Sequence, residues 1–232
     1  MAPALRTPLE QVDETLLLKP TPFIESEAPE VVRFARETVA DAQGDVERGV
    51  MLYYAVRDGI RYDPYRIHLN EDCFRATTVL RDGAAFCIPK AILLAAAARA
   101  VGIPAALGFS DVKNHLTTAK LQQAMGSDLF IYHGYTVLKL DGRWVKATPA
   151  FNLTLCERFG VLPLDFDGRN DALLHPFDQQ NRKHMEYVND RGLFADFPFQ
   201  EIAGSFRTYY ARYFEAEHQA GPAFEDETPL TS

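Results

Sequence analysis

Asp82-Gly83-Ala84-Ala85-Phe86-Cys87-Ile88-Pro89-Lys90-Ala91 is the stretch on which the reading of this chain turns. Asp-Gly is a turn pair, because glycine reaches unusual φ values without a side-chain penalty. Pro89 fits a helix only in its first turn, where a missing N–H is no loss. A helix therefore starts at about Cys87, with free N–H groups and the positive end of the helix dipole at the sulfur. Such a position favours the nucleophilic thiolate. From Lys90 onward Ala91, Ile92, Leu94, Ala95 and Ala98 recur at helical spacing, which predicts a buried helix. Gly102 is its C-terminal stop, and Pro104 forbids continuation. A cysteine ahead of an apolar helix is more commonly a small buried hydrophobe than a nucleophile. Residues further along the chain decide between the two.

Length and composition narrow the field. The 232 residues suit one domain, or one domain with an extension, and are enough to bury a sizeable core without staples. With 47% apolar and 24% charged residues, the chain has an ordinary globular composition. A net charge of −8 argues against nucleic acid as a partner, which would need clustered Lys and Arg. Cys73, Cys87 and Cys156 are odd in number, unevenly spaced and without a CxxC pair. They suggest neither a disulfide framework nor a zinc knuckle, and they fit a reducing cytoplasm. Residues 1–19 lack the basic and apolar regions of an export signal. No stretch approaches the roughly 20 apolar residues of a spanning helix, so no membrane contact is expected.

Pro3, Pro8, Pro20 and Pro22 mark residues 1–22 as an arm that packs on the domain or stays mobile. Capping and periodicity predict helices over about 29–40 and 46–58, an extended segment over 60–65 and a short helix over 76–81. A short strand is expected over 105–110, then an insertion over 111–126 with its own helix at 116–124. Strands over 130–140 and 143–148 flank Asp141-Gly142, a strong hairpin signal. Beyond Asn152 the pattern weakens to a strand over 162–169, an aromatic loop over 194–199 and a helix over 202–214. Residues 215–232 hold five acids with Pro and Gly, a composition that predicts a disordered tail. Residues 23–214 then form a single domain. Helices come first and antiparallel strands after, so the class is α+β. The cysteine helix should pack on the sheet, with the site at its N-terminal end.

A cysteine nucleophile needs a base that takes its proton and returns it to the leaving group, and histidine is the usual choice. His133 is the strongest candidate, because a rigid strand just before a hairpin can aim it. The far ring nitrogen needs an acceptor to fix the tautomer. With the turn at Asp141-Gly142, Tyr135 should lie opposite Thr148 and His133 opposite Ala150. The orienting group is therefore expected from the end of the return strand: Thr148, the neighbours of Ala150, or Asn152. The polar cluster Asp111-Val112-Lys113-Asn114-His115 is read as a loop that caps the following helix, or as part of a substrate groove.

Cys87 at a helix start, Arg99-Ala100-Val101-Gly102-Ile103-Pro104-Ala105 at its end, and His133-Gly134-Tyr135-Thr136-Val137 with Trp144-Val145 together resemble the transglutaminase-like superfamily, its bacterial members most of all. The resemblance covers about residues 50–152. It implies a papain-like fold with a Cys-His-Asp triad, in which Cys87 is the nucleophile and His133 the base. The function expected from it is acyl transfer through a thioester on an amide of a peptide or protein, either a peptide bond or a glutamine side chain, ending in hydrolysis or in transfer to an amine. The family's acid position falls on Thr148, in Lys146-Ala147-Thr148-Pro149. Threonine accepts a hydrogen bond but carries no charge, so it stabilises an imidazolium less well than aspartate. Asn152 is the alternative, as Asn is in papain-like triads. A non-catalytic module that binds peptides or proteins is the competing reading. A metal site built from Cys87, His133 and His115 is a third. No cofactor is called for, and the oligomeric state is not legible.

Overall fold

The computed structural model describes residues 4–5, 7–114, 118–173, 185–215 and 224–228. Pro29 opens α1 (Pro29–Thr38), which buries Val31 and Ala35. α2 (Asp45–Gly59) carries Leu52, Tyr53 and Val56 into the core. The chain then extends as β1 (Arg61–Tyr62) and, after α3 (Ala76–Asp82), as β2 (Ala84–Ala85), which pairs with β1 in parallel. Gly83 ends α3 at φ 62°, a left-handed conformation that glycine adopts without penalty. α4 (Cys87–Ala100) follows at once, and Gly102 stops it at φ 83°.

A four-stranded antiparallel sheet comes next, in the order β5-β4-β3-β6. Its strands are β3 (Ala105–Asn114), β4 (Leu129–Leu140), β5 (Arg143–Ala147) and β6 (Met185–Phe194). Between them lie α5 (Ala119–Met125) and α6 (Leu153–Phe159). After β6 come α7 (Phe199–Tyr209) and α8 (Ala211–Glu215). The architecture is α+β, as the sequence predicts, with an antiparallel main sheet and helices both before it and between its strands.

α4 is the centre of the core. Ala91, Ile92, Leu93, Leu94 and the four alanines after them are fully buried. Their small side chains let α1, α2 and α3 on one side, and β3 and β4 on the other, approach the helix closely. The Thr136 hydroxyl donates to the Ala91 carbonyl at 2.8 Å and ties sheet to helix. On the opposite sheet face Ala106, Tyr135 and Val137 pack with Leu9 and Leu17. The N-terminal arm is therefore docked, and the Leu5 N–H reaches the Leu193 carbonyl at 2.7 Å.

Several boundaries differ from the sequence reading. Residues 111–114 continue β3 instead of opening an insertion, and α5 starts at Ala119 under a Thr118 cap. Part of the expected 116–124 helix, with His115, lies outside the described residues. No strand forms over 162–169, because the Leu164 carbonyl is held by the Tyr53 hydroxyl at 2.7 Å and by Arg57 at 2.9 Å. β6 goes unread in the sequence because Asn189-Asp190-Arg191-Gly192 looks like a turn. In the structure it is absorbed as register irregularities against β3, with Gly192 at φ 92°. The acidic tail is not disordered throughout, since Phe224 is buried and 224–226 form a 3-10 turn. Among the described residues no helix is long and apolar enough to cross a membrane.

Candidate active site

Cys87 is the first residue of α4, behind the extended Phe86. The parallel pairing of β1 with β2 fixes the backbone just ahead of it. Loss of water pushes the thiol up to about 11, and the N–H groups of Gly134, Ile88 and Cys87 itself pull the other way. The helix start favours the anion, as the sequence predicts, and loss of water, the larger effect, opposes it. Cys73 is also raised, and Cys156 is pushed up to about 12, each mainly by burial. Alkylation of Cys87 by iodoacetamide should accelerate about tenfold per pH unit from pH 7 to 10, read by peptide mass spectrometry. A rate that stays flat from pH 6 to 9 would mean a preformed thiolate instead.

Gly134 explains how β4 comes so close to the cysteine. A Cβ at this position would lie 3.0 Å from the Ile88 Cα. The strand rests on the first helical turn with no room for a side chain between them.

His133 precedes that contact on β4, paired with Ser110 of β3, and is buried. The residue before it, Tyr132, is held at φ 56°, which costs a non-glycine residue about 1–2 kcal/mol. Asp111 holds it there. One carboxylate oxygen accepts the Tyr132 N–H at 3.0 Å, and Arg191 clamps both oxygens at 2.7–3.0 Å. The same guanidinium lies 4.7 Å from the centre of the Tyr132 ring, and the Tyr132 hydroxyl donates to Glu201 at 3.0 Å. The β3–β4 register slips at this point, between Ser110 and Val112. Asp111 and Arg191 thus set the path of the strand that carries His133. Sequence reasoning placed Asp111 in a loop and did not single out Arg191.

Cys87 and His133 line one cavity of about 30 Å³, walled by Tyr62, Phe86, Met125 and Tyr210 among others. Burial raises the Tyr62 phenol well above its ordinary value, and the adjacent Cys87 adds to this. The tyrosine side of the wall is therefore uncharged at neutral pH.

Thr148 and Asn152 are not among the residues that line this cavity. The β4–β5 ladder ends at Thr136 with Ala147, so Thr148 lies one step beyond it, on the expected register with Tyr135. Its N–H donates to the Ala172 carbonyl at 2.8 Å, and its carbonyl accepts from the Tyr53 hydroxyl at 3.2 Å. The Thr148 hydroxyl is buried and has no hydrogen-bond partner among the described residues. Asn152 serves β1. Arg61 donates to the Gly83 carbonyl and Asp63 to that of Ala85, so the Tyr62 N–H points the other way, and the Asn152 Oδ1 accepts it at 2.9 Å. The Asn152 Nδ2 donates to the Thr154 hydroxyl at 2.7 Å. Among the described residues no group of three or more His, Cys, Asp or Glu side chains is arranged to hold a metal. His115, the third ligand of the metal reading, is outside them.

The sequence model of the transglutaminase-like superfamily matches residues 32–149, just over half of the 232. The chain belongs to the transglutaminase-like superfamily. The matched segment of this transglutaminase-like chain runs from α1 through the Cys87 turn and the His133 strand to Pro149. No curated protein matches the chain. Two solved structures are similar to it. One is a candidate cysteine protease from Cytophaga hutchinsonii, with 15% identity and a TM-score of 0.46 over 62% of this chain and 44% of the other. The second is a candidate protease from Parabacteroides distasonis, with 19% identity and a TM-score of 0.41 over 61% of this chain and 27% of the other. The present chain thus spans less than half the length of either.

Proposed function

We propose that this protein is a cysteine-dependent acyl-transfer enzyme acting on an amide of a peptide or protein. Cys87 is its nucleophile and His133 its general base. The observation that carries the reading is the shared cavity: a thiol at a helix start and an imidazole on a braced strand line one small apolar wall. When substrate enters, the Cys87 proton passes to His133 and the sulfur attacks the carbonyl carbon. In this reading the Cys87 N–H donates to the developing oxyanion. The C–N bond then breaks, the amine leaves with the proton from His133, and a thioester remains. Water or a second amine gives its proton to His133 and attacks the thioester, which restores the thiol. Thr148 would orient the imidazole if its hydroxyl, which is buried and makes no hydrogen bond among the described residues, turned to the far ring nitrogen when substrate enters. Asn152 is the weaker candidate, because its amide already serves Tyr62 and Thr154. Free thiols at all three cysteines suit a reducing compartment such as the cytoplasm.

Brief incubation with p-nitrophenyl acetate, acid quench and intact-mass measurement tests the reading. One acetyl group on Cys87 is expected, absent in Cys87→Ala and formed about 100-fold more slowly in His133→Ala. Acetylation of Cys73 instead, or none, sinks it. An uncharged Thr148 with a buried, unpartnered hydroxyl favours a second reading, a binding module without turnover. That reading gains if Cys87→Ser retains a partner and the wild-type protein never forms the adduct.

A further inference from the structure

Residues 224–227 lie in a groove beside the Cys87 cavity. The Phe224 ring is buried against Tyr62, Tyr65 and Phe159, at centroid distances of 5.9, 6.0 and 5.2 Å. Tyr62 belongs to both places, because it also walls the cavity of Cys87 and His133. Further along, the Glu227 carboxylate accepts from the Tyr65 hydroxyl at 3.0 Å, the Thr118 hydroxyl at 2.6 Å and the Lys120 ammonium at 2.8 Å. Its side chain is only 7% exposed. Between these anchors Arg158 donates to the Glu225 carbonyl at 3.2 Å and pairs with Asp226. The Thr154 hydroxyl donates to the Glu225 carboxylate at 3.2 Å.

The groove thus has an aromatic box at one end and cations from α5 and α6 along it. α5 also supplies Met125 to the cavity wall, so groove and cavity share two walls. A chain of net charge −8 repels acidic segments on average. An acidic run that is nevertheless held by two cations and a buried aromatic ring marks a matched surface.

We propose that this groove is a peptide-binding subsite for an aromatic residue followed by acidic residues, and that the chain's own Phe224–Glu227 fills it as a built-in competitor. Calling the bound peptide a substrate rests on the acyl-transfer reading of Cys87; the binding itself does not. Tethering to α8 gives the segment a high effective concentration, so an outside peptide must displace it.

The test uses the full chain and a fluorescein-labelled peptide with the sequence of residues 223–230, followed by fluorescence polarisation. The double variant Phe224→Ser/Glu227→Lys should bind the peptide at least about tenfold more tightly than the wild type. Affinity should fall with salt, and it should fall at least about tenfold when the peptide's phenylalanine becomes alanine or when Arg158→Glu is added. Glu227→Gln, which keeps the shape of the side chain, should give a smaller gain in the same direction. Equal binding by wild type and both variants overturns the proposal, as does binding indifferent to the peptide's phenylalanine. Cys87→Ala in the double variant should leave peptide affinity unchanged. A failed acetyl adduct therefore counts against the enzyme and a failed polarisation signal against the groove.

Discussion

Replacing Arg99 with leucine should lower stability by about 3 kcal/mol, a fall in Tm of roughly 10 °C for a chain of this size. The Arg99 guanidinium is buried near the end of α4 and binds three backbone segments at once. It donates to the Ala105 carbonyl at 2.7 and 3.1 Å, to the Lys19 carbonyl at 2.6 Å and to the Ala195 carbonyl at 2.7 Å. Desolvation pushes its pKa down to about 10, opposed by nearby Asp196, which shows that burying the charge is itself unfavourable. Leucine removes that penalty, but it also leaves three carbonyls facing a side chain with no donor, and a buried lone acceptor costs about 1–3 kcal/mol. The second effect is the larger because there are three acceptors and one charge. Lysine at this position keeps the charge but lacks the planar fork that spans three directions, so Arg99→Lys should recover less than half of the loss. Thermal denaturation followed by circular dichroism checks both. A loss under 1 kcal/mol for the leucine variant would mean that the carbonyl bonds merely offset the desolvation of the guanidinium.

The second large effect depends on pH. Lys90, one turn into α4, has no exposed surface and donates to the Arg57 carbonyl at 2.8 Å and to the Ile60 carbonyl. Desolvation pushes its pKa down to about 7. In the unfolded chain a lysine titrates near 10.4. Between these values the unfolded state binds the extra proton, so stability rises with pH by about 1.4 kcal/mol per unit. The penalty is fully present below the folded pKa and gone above the unfolded one. Lys90→Met removes this dependence and leaves two carbonyls without their donor. At pH 10 the variant should therefore be less stable than the wild type. On going to pH 7 the difference should shift in the variant's favour by about 3–4 kcal/mol. Urea unfolding of both proteins at pH 7, 8.5 and 10 measures the shift, and the tyrosines, present in both, cancel. A gap that stays constant across that range would show that Lys90 keeps an ordinary pKa.

The parts of this fold that could be read from the sequence are those governed by neighbours along the chain. Asp82-Gly83, Pro89, Gly102 and Pro104 bracket α4 by local backbone constraint alone, and Asp141-Gly142, at φ 46° and 77°, sets the hairpin and its register. What escaped depends on partners distant in sequence. Asp111 reads as loop material until Arg191 reaches across from β6 to clamp it. The helix start predicts a lowered thiol pKa, and only the loss of water on burial, which no local pattern reveals, opposes it. Acids at the end of the chain read as solvated until Lys120 and Arg158 are placed beside them. Thr148 and Asn152 were both reached by counting residues along the return strand. That count holds to the end of the ladder at Ala147, after which the chain turns to other partners.

Gly134 has a consequence for how such a protein can vary. Where β4 meets α4, main chain abuts main chain, so the location of the sulfur relative to the strand is independent of any side chain's size. Enlarging or trimming Met125, Phe86 or Tyr210 would reshape the cavity without moving the sulfur. A methyl group added at residue 134 would do the reverse, prising strand from helix while leaving the surrounding chamber's chemistry as it was. The shape of the chamber and the position of the sulfur are thus encoded at separate residues, and one can drift while the other stays fixed.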